Sequence, residues 1–246
     1  MNYSASIAPQ ELGHLVGGFN WQKSKAKRLF VLWSLMVFPS LISCLFLVGI
    51  PATVLSIYFA HRSWQRWRSS QSVVLLYQHG LVDQRNAQPV ILPYSHIDTL
   101  LIAVTRLAGI TSHVYTIHTR DNRKIQLDDH LAQIKDLGHI LQEQVAQQQL
   151  PEAIDIYSQE RPVRFKDLAI TPDGICMGKR YLSWQDFDAA TVIQTQTRKH
   201  IHVLIEIKQK DQQKPWALLD QATFPNLSLF LALLDHVQTS TQPHDI

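Results

Sequence analysis

At 246 residues, the chain has room for one or two cores of roughly 100 to 200 residues each, and 23 Lys and Arg against 20 Asp and Glu leave a net charge of only +3. The basic residues form no long run, which argues against a nucleic-acid partner. With only two cysteines, Cys44 and Cys176, no disulfide framework is expected, and the pattern fits a reducing compartment.

Residues 1–28 read as an N-terminal cytoplasmic tail, and residues 29–68 as a membrane anchor. From Leu29 to Ala60 no side chain is charged, whereas about 20 apolar residues suffice to cross a bilayer core. A cleaved leader fits badly, because the apolar core is too long for that class and no small-x-small site precedes His61-Arg62. As one helix the run would reach roughly 48 Å against a core near 30 Å. It therefore reads either as one strongly tilted helix or, as preferred here, as a transmembrane helical hairpin turning at Val48-Gly49-Ile50-Pro51, with Pro39 as a possible kink.

Basic and aromatic residues flank both ends. Lys23, Lys25, Lys27 and Arg28 precede the run, and Arg62, Trp64, Arg66, Trp67 and Arg68 follow it. These nine are the candidate membrane-interface residues. By the positive-inside rule both ends face the cytoplasm, so the expected location is integral to the plasma (inner) membrane, with the soluble domains cytoplasmic.

Beyond Arg68 the pattern changes to short alternating runs separated by Gly, Asp, Asn or Pro, the period of half-buried strands. The predicted strands are Val73 to Tyr77, Leu81 to Gln84, Val90 to Leu92, Ile97 to Val104, His113 to Thr119 and Lys124 to Leu127. A helix capped by Asp128 or Asp129 follows, with Leu131, Ile134, Leu137, Ile140, Leu141 and Val145 on one stripe, and Pro151 is predicted to end it.

The order then recurs. Leu92-Pro93-Tyr94-Ser95-His96-Ile97-Asp98 aligns with Leu182-Ser183-Trp184-Gln185-Asp186-Phe187-Asp188 at an offset of 90, and Leu137, Ile140 and Leu141 align with Leu227, Phe230 and Leu231 at the same offset. The chain therefore divides into a first repeat at 72–150, a linker at 151–162, a second repeat at 163–238 and a tail at 239–246. The pattern from Tyr77-Gln78-His79-Gly80-Leu81-Val82 through Leu92-Pro93-Tyr94, Leu137-Gly138, Leu150-Pro151 and Trp184 to Pro225-Asn226-Leu227 resembles an uncharacterised family of membrane-anchored proteins with tandem pleckstrin-homology-like domains. That resemblance implies an α+β fold class: the helical hairpin followed by two pleckstrin-homology-like split β-barrels, each with a C-terminal helix. It implies no activity.

Chemistry is sparsely signalled. His200-x-His202 places two imidazoles on one strand face without a third ligand, and His113, His118 and His130 are scattered, so no metal and no cofactor is expected. No nucleophile elbow, phosphate loop or dinucleotide fingerprint occurs, and the chain is expected not to be an enzyme. Cys176 reads as a small buried side chain. The turn Tyr77-Gln78-His79-Gly80 has no fixed positive charge and Thr171-Pro172-Asp173-Gly174 is slightly acidic, a departure from phosphoinositide-binding patterns. The expectation is a membrane-anchored, non-catalytic binding or scaffolding protein that takes a protein or peptide partner, or self-associates, at the cytoplasmic membrane face beside the lipid bilayer. Lipid-headgroup sensing at that surface is the alternative.

Overall fold

The computed structural model describes residues 9–20, 31–32, 34–36, 54–62, 73–85, 88–107, 110–196 and 201–241. The chain divides into two compact units, one of Met1–Tyr77, Leu81–Ile91 and His130–Gln133, the other of Gln78–Gly80, Leu92–Asp129 and Ile134–Ile246.

The first unit is built on a four-stranded antiparallel sheet of β1 (Leu15–Asn20), β2 (Val73–Tyr77), β3 (Gly80–Asp83) and β4 (Val90–Pro93), in that order. Alternation in β2 buries Val74 and Leu76, and Leu12, Phe19, Leu81, Val82 and Leu131 are buried in the same unit. Asn20 is the register partner of Val73, and its carbonyl accepts the Ala132 N–H at 2.8 Å. In sequence, the apolar run therefore falls between two paired strands, β1, described to Asn20, and β2, described from Val73.

The transmembrane helical hairpin and, with it, the integral plasma-membrane location are corrected on helix length and apolarity. Among the described residues no helix is long and apolar enough to cross a membrane. In this region the helical residues described are 31, 32, 34–36 and 54–62. A charge-free composition measures apolarity, not helical continuity. The proposed turn at 48–51 and Pro39 lie outside the described residues.

The second unit contains three sheets. β5 (Ile97–Leu107), β6 (Ile110–Thr119) and β7 (Lys124–Asp128) form one three-stranded antiparallel sheet. β8 (Val163–Phe165), β9 (Leu168–Thr171), β10 (Gly174–Met177) and β11 (Arg180–Ser183) form a four-stranded sheet, and β12 (Phe187–Gln196), β13 (Ile201–Gln209) and β14 (Ala217–Asp220) another three-stranded one. In chain order, a four-stranded sheet, a three-stranded sheet and a helix thus occur twice. The helices are α1 (Ile134–Ser158) and α2 (Leu227–Thr241).

Two features of α1 differ from expectation. Asp129 does not cap it; its carboxylate accepts the backbone N–H of His113 at 3.1 Å and fastens the end of β7 to β6. Nor does Pro151 end it, although proline lacks the N–H and crowds the carbonyl four residues earlier. The helix continues because its far half is wanted elsewhere: Ala153, Ile154 and Tyr157 pack into the cluster of Phe165, Ile170, Ile175, Phe187 and Phe230 that forms the second repeat's core. The near half lies so close to β6 that a Cβ on Gly138 would fall 1.9 Å from Tyr115 Cζ, so only glycine fits there.

Tyr94 and Trp184 occupy equivalent corners. The Tyr94 N–H donates to His79 O at 3.0 Å and the Trp184 N–H to Asp173 O at 3.1 Å. Their burial differs. Tyr94 is 1 % exposed, whereas Trp184 is half-buried and its indole N–H donates to Pro172 O at 2.8 Å and to Thr171 O at 3.1 Å.

Candidate functional site

Alternation along β5 and β6 turns Leu100, Ile102, Tyr115 and Ile117 into the interior and leaves Thr99, Leu101 and His118 on the opposite face. Thr99 and His118 are register partners there. The β6–β7 turn closes this face at one end. Thr119 Oγ1 donates to the Asp121 carboxylate, Arg123 Nε lies 2.7 Å from Asp121 Oδ2, and Asn122 takes the left-handed conformation the turn requires, with φ 61°. The Thr119 hydroxyl, and after it the neighbouring Arg123, hold the exposed Asp121 carboxyl below the usual carboxylate range.

The second repeat supplies the other wall: Lys166, at the β8–β9 turn with φ 60°, and the 3-10 turn Gln221–Thr223. Asp220 caps that turn, its carboxylate accepting the Ala222 N–H at 2.9 Å. Between the walls runs an open groove of about 650 Å³, whose polar lining includes Asp98, Thr99, His118, Asn122, Lys166 and Thr223. Asp98 accepts from the Thr99 hydroxyl at 2.9 Å. Lys166 is the one fixed positive charge among the lining residues and Asp98 the one negative charge.

Asn226 holds the two walls together. Its Oδ1 accepts the Leu100 N–H at 2.7 Å, its Nδ2 donates to Asp98 O at 2.9 Å and to Gln149 Oε1 at 3.1 Å, and its own N–H donates to Leu100 O at 3.0 Å. Gln149 Nε2 completes the set by donating to Ile97 O at 2.8 Å. The left-handed φ of 50° at Asn226 lets side chain and backbone reach β5 together, while the Asn226 carbonyl accepts the Phe230 N–H and starts α2.

Of the nine predicted interface residues, Arg62 is described and is exposed at the end of the helical residues 54–62. Lys23, Lys25, Lys27, Arg28, Trp64, Arg66, Trp67 and Arg68 lie outside the described residues. His200 does too, and among the described residues no group of three or more His, Cys, Asp or Glu could hold a metal ion. His113 sits on β6, away from the groove and near the start of α1. Burial, followed by the nearby Lys135, lowers its pKa against the opposing pull of Asp129. Cys176 is half-buried on β10.

Sequence reasoning did not select Asn226, Lys166 or Thr223 as site residues. A signal existed for Asn226, since Asn after Pro and before an apolar run marks a helix start. A family model described as a family of unknown function, DUF6585, matches residues 4–243. No curated protein matches the chain.

Proposed function

The chain belongs to DUF6585, a family of unknown function, and we propose that it is a non-catalytic binding protein whose two repeats together hold a protein or peptide partner. The observation that carries this reading is the open groove of about 650 Å³, one wall from each repeat, with mixed polar and apolar lining. Such a surface suits a partner that presents both backbone and side-chain groups. A phosphate-bearing headgroup calls for convergent cations, and Lys166 beside Asp98 gives little net positive charge. The four-stranded sheet, three-stranded sheet and helix that occur twice support a pleckstrin-homology-like reading of each repeat.

Thr223→Trp tests the proposal. Thr223 is exposed at the groove wall, so an indole there occupies the groove without entering the core. The expected outcome is that proteins recovered with the chain after mild crosslinking in its native cells are lost from the variant, while its circular dichroism and melting temperature stay unchanged. Recovery of the same proteins at the same level would contradict the groove as the binding site.

A further inference from the structure

The contact that Asn226 makes on the first repeat has a counterpart on the second that no described residue fills. In the first repeat the β5–β6 register runs Ile97↔Thr119, then a bulge, then Thr99↔His118 and Leu100↔Ile117. In the second, β12 and β13 run Phe187↔Gln209, then a bulge, then Ala189↔Lys208 and Ala190↔Ile207. Ala190 therefore stands where Leu100 stands, Asp188 where Asp98 stands and Phe187 where Ile97 stands. Leu100 turns its N–H and C=O away from β6, toward Asn226. By the same register Ala190 turns its N–H and C=O away from β13, and β12 is an edge strand.

In the first repeat all these outward groups are satisfied: Leu100 N–H and C=O and Asp98 C=O by Asn226, and Ile97 C=O by Gln149. Among the described residues, no hydrogen bond outside the strand ladder reaches the backbone of Phe187, Asp188 or Ala190. The α2 residue corresponding to Gln149 is Thr239, whose hydroxyl donates back to Asp235 O at 2.9 Å within its own helix. A cavity of about 350 Å³, whose lining includes Trp184, Phe187, Asp188, Lys210 and Val237, lies beside the Asp188 end of this edge. Trp184 and Phe187 meet edge to face at 5.7 Å and form an apolar side to it.

We propose that the outer edge of β12 beside α2 is a second binding site, which takes a turn of a protein partner carrying an asparagine, in the way β5 takes the chain's own Phe224-Pro225-Asn226-Leu227. The chemistry selects the residue. One carboxamide offers an acceptor for the Ala190 N–H and a donor for the Asp188 carbonyl at once, and the partner's backbone N–H at the same residue completes the pair on the Ala190 carbonyl. A carboxylate has no donor for Asp188 C=O, and a hydroxyl is too short to span both. The chain's own copy of the motif is engaged on β5, and the occupant proposed is therefore a protein partner carrying a like turn. None of the residues of the proposed second site, Trp184, Phe187, Asp188, Ala190, Lys210 and Val237, lines the composite groove, so this proposal and the one above stand or fall separately.

The test is a titration of the full-length, isotope-labelled protein with a synthetic peptide of the sequence Gln221–Phe230 up to millimolar concentration. Amide signals of Ala190 and Ala189 and the indole N–H of Trp184 are expected to shift. The peptide with alanine in place of asparagine should need at least tenfold more to reach the same shift. In Ala190→Pro the donor is gone but the ladder to β13 is intact, because that N–H faces outward, and the Trp184 shift should be lost. No shift at Trp184 and Ala190 would overturn the proposal, as would equal shifts with the alanine peptide, or changes confined to Leu100 that report exchange with the chain's own segment. The two peptides are compared on the unaltered protein, so their difference decides the matter even where Ala190→Pro does not fold.

Discussion

Asn226 makes four hydrogen bonds toward the first repeat from a backbone conformation that alanine enters at a cost. Asn226→Ala should lower unfolding free energy by about 2–4 kcal/mol, from an unsatisfied Leu100 N–H and a strained left-handed residue together. Asn226→Gly removes the strain but not the lost bonds, and should cost about 1–3 kcal/mol. Urea melts of both variants separate the two contributions; equal losses would assign the whole effect to the side chain. Tyr94 makes a different point. Burial raises its phenol pKa above the ordinary 10.0, and burial does the same to Tyr115 and Tyr157. The raised folded pKa means the unfolded chain releases these protons first. The stabilisation is fully present below pH 10 and declines as pH rises beyond it. Tyr94→Phe should reduce the slope of stability against pH above 10 without abolishing it, as chemical denaturation at a series of pH values would show. An unchanged slope would place the phenol in water.

At the scale of elements, β2, β5, β6 and β7 were legible because each alternates on a face that packs, so the period of two survives in the residue types, while β3, buried throughout, showed as a short apolar run between turns. β1 was not legible. Leu-Val-Gly-Gly-Phe-Asn carries two glycines and buries only Phe19, and its partner β2 begins beyond the apolar run. β8 has three residues, too few for a period. α1 was legible up to Pro151, where a local rule about proline predicted an end that packing overrode. Ala153 and its neighbours gain enough by joining the second core to carry the helix past the missing bond. Pro151 is exposed, so Pro151→Ala should restore the hydrogen bond to Gln147 and stabilise the protein by about 1–3 kcal/mol. Thermal melts would check this; a destabilised variant would mean that proline shapes the helix for its contacts on the second core.

For the whole molecule, the informative contacts are the ones farthest apart in the chain. A charge-free run of residues gives a local signal that is easily read as an anchor, whereas the pairing of Asn20 with Val73 that encloses it is invisible without the fold. The groove is non-local in the same way. Asp98 and His118 come from one repeat, Lys166 and Thr223 from the other, and the bond that draws them together joins residues 126 positions apart. No sequence window contains it. The composite groove is most directly tested by placing a photo-crosslinking amino acid at His118 in one version of the protein, at Thr223 in a second and at the exposed Gln147 of α1 in a third, each expressed in native cells. The two groove positions, one on each repeat, are predicted to capture the same protein, and Gln147 to capture none of it. Adducts to different proteins from the two walls, or no capture above that at Gln147, would contradict a binding site shared between the repeats.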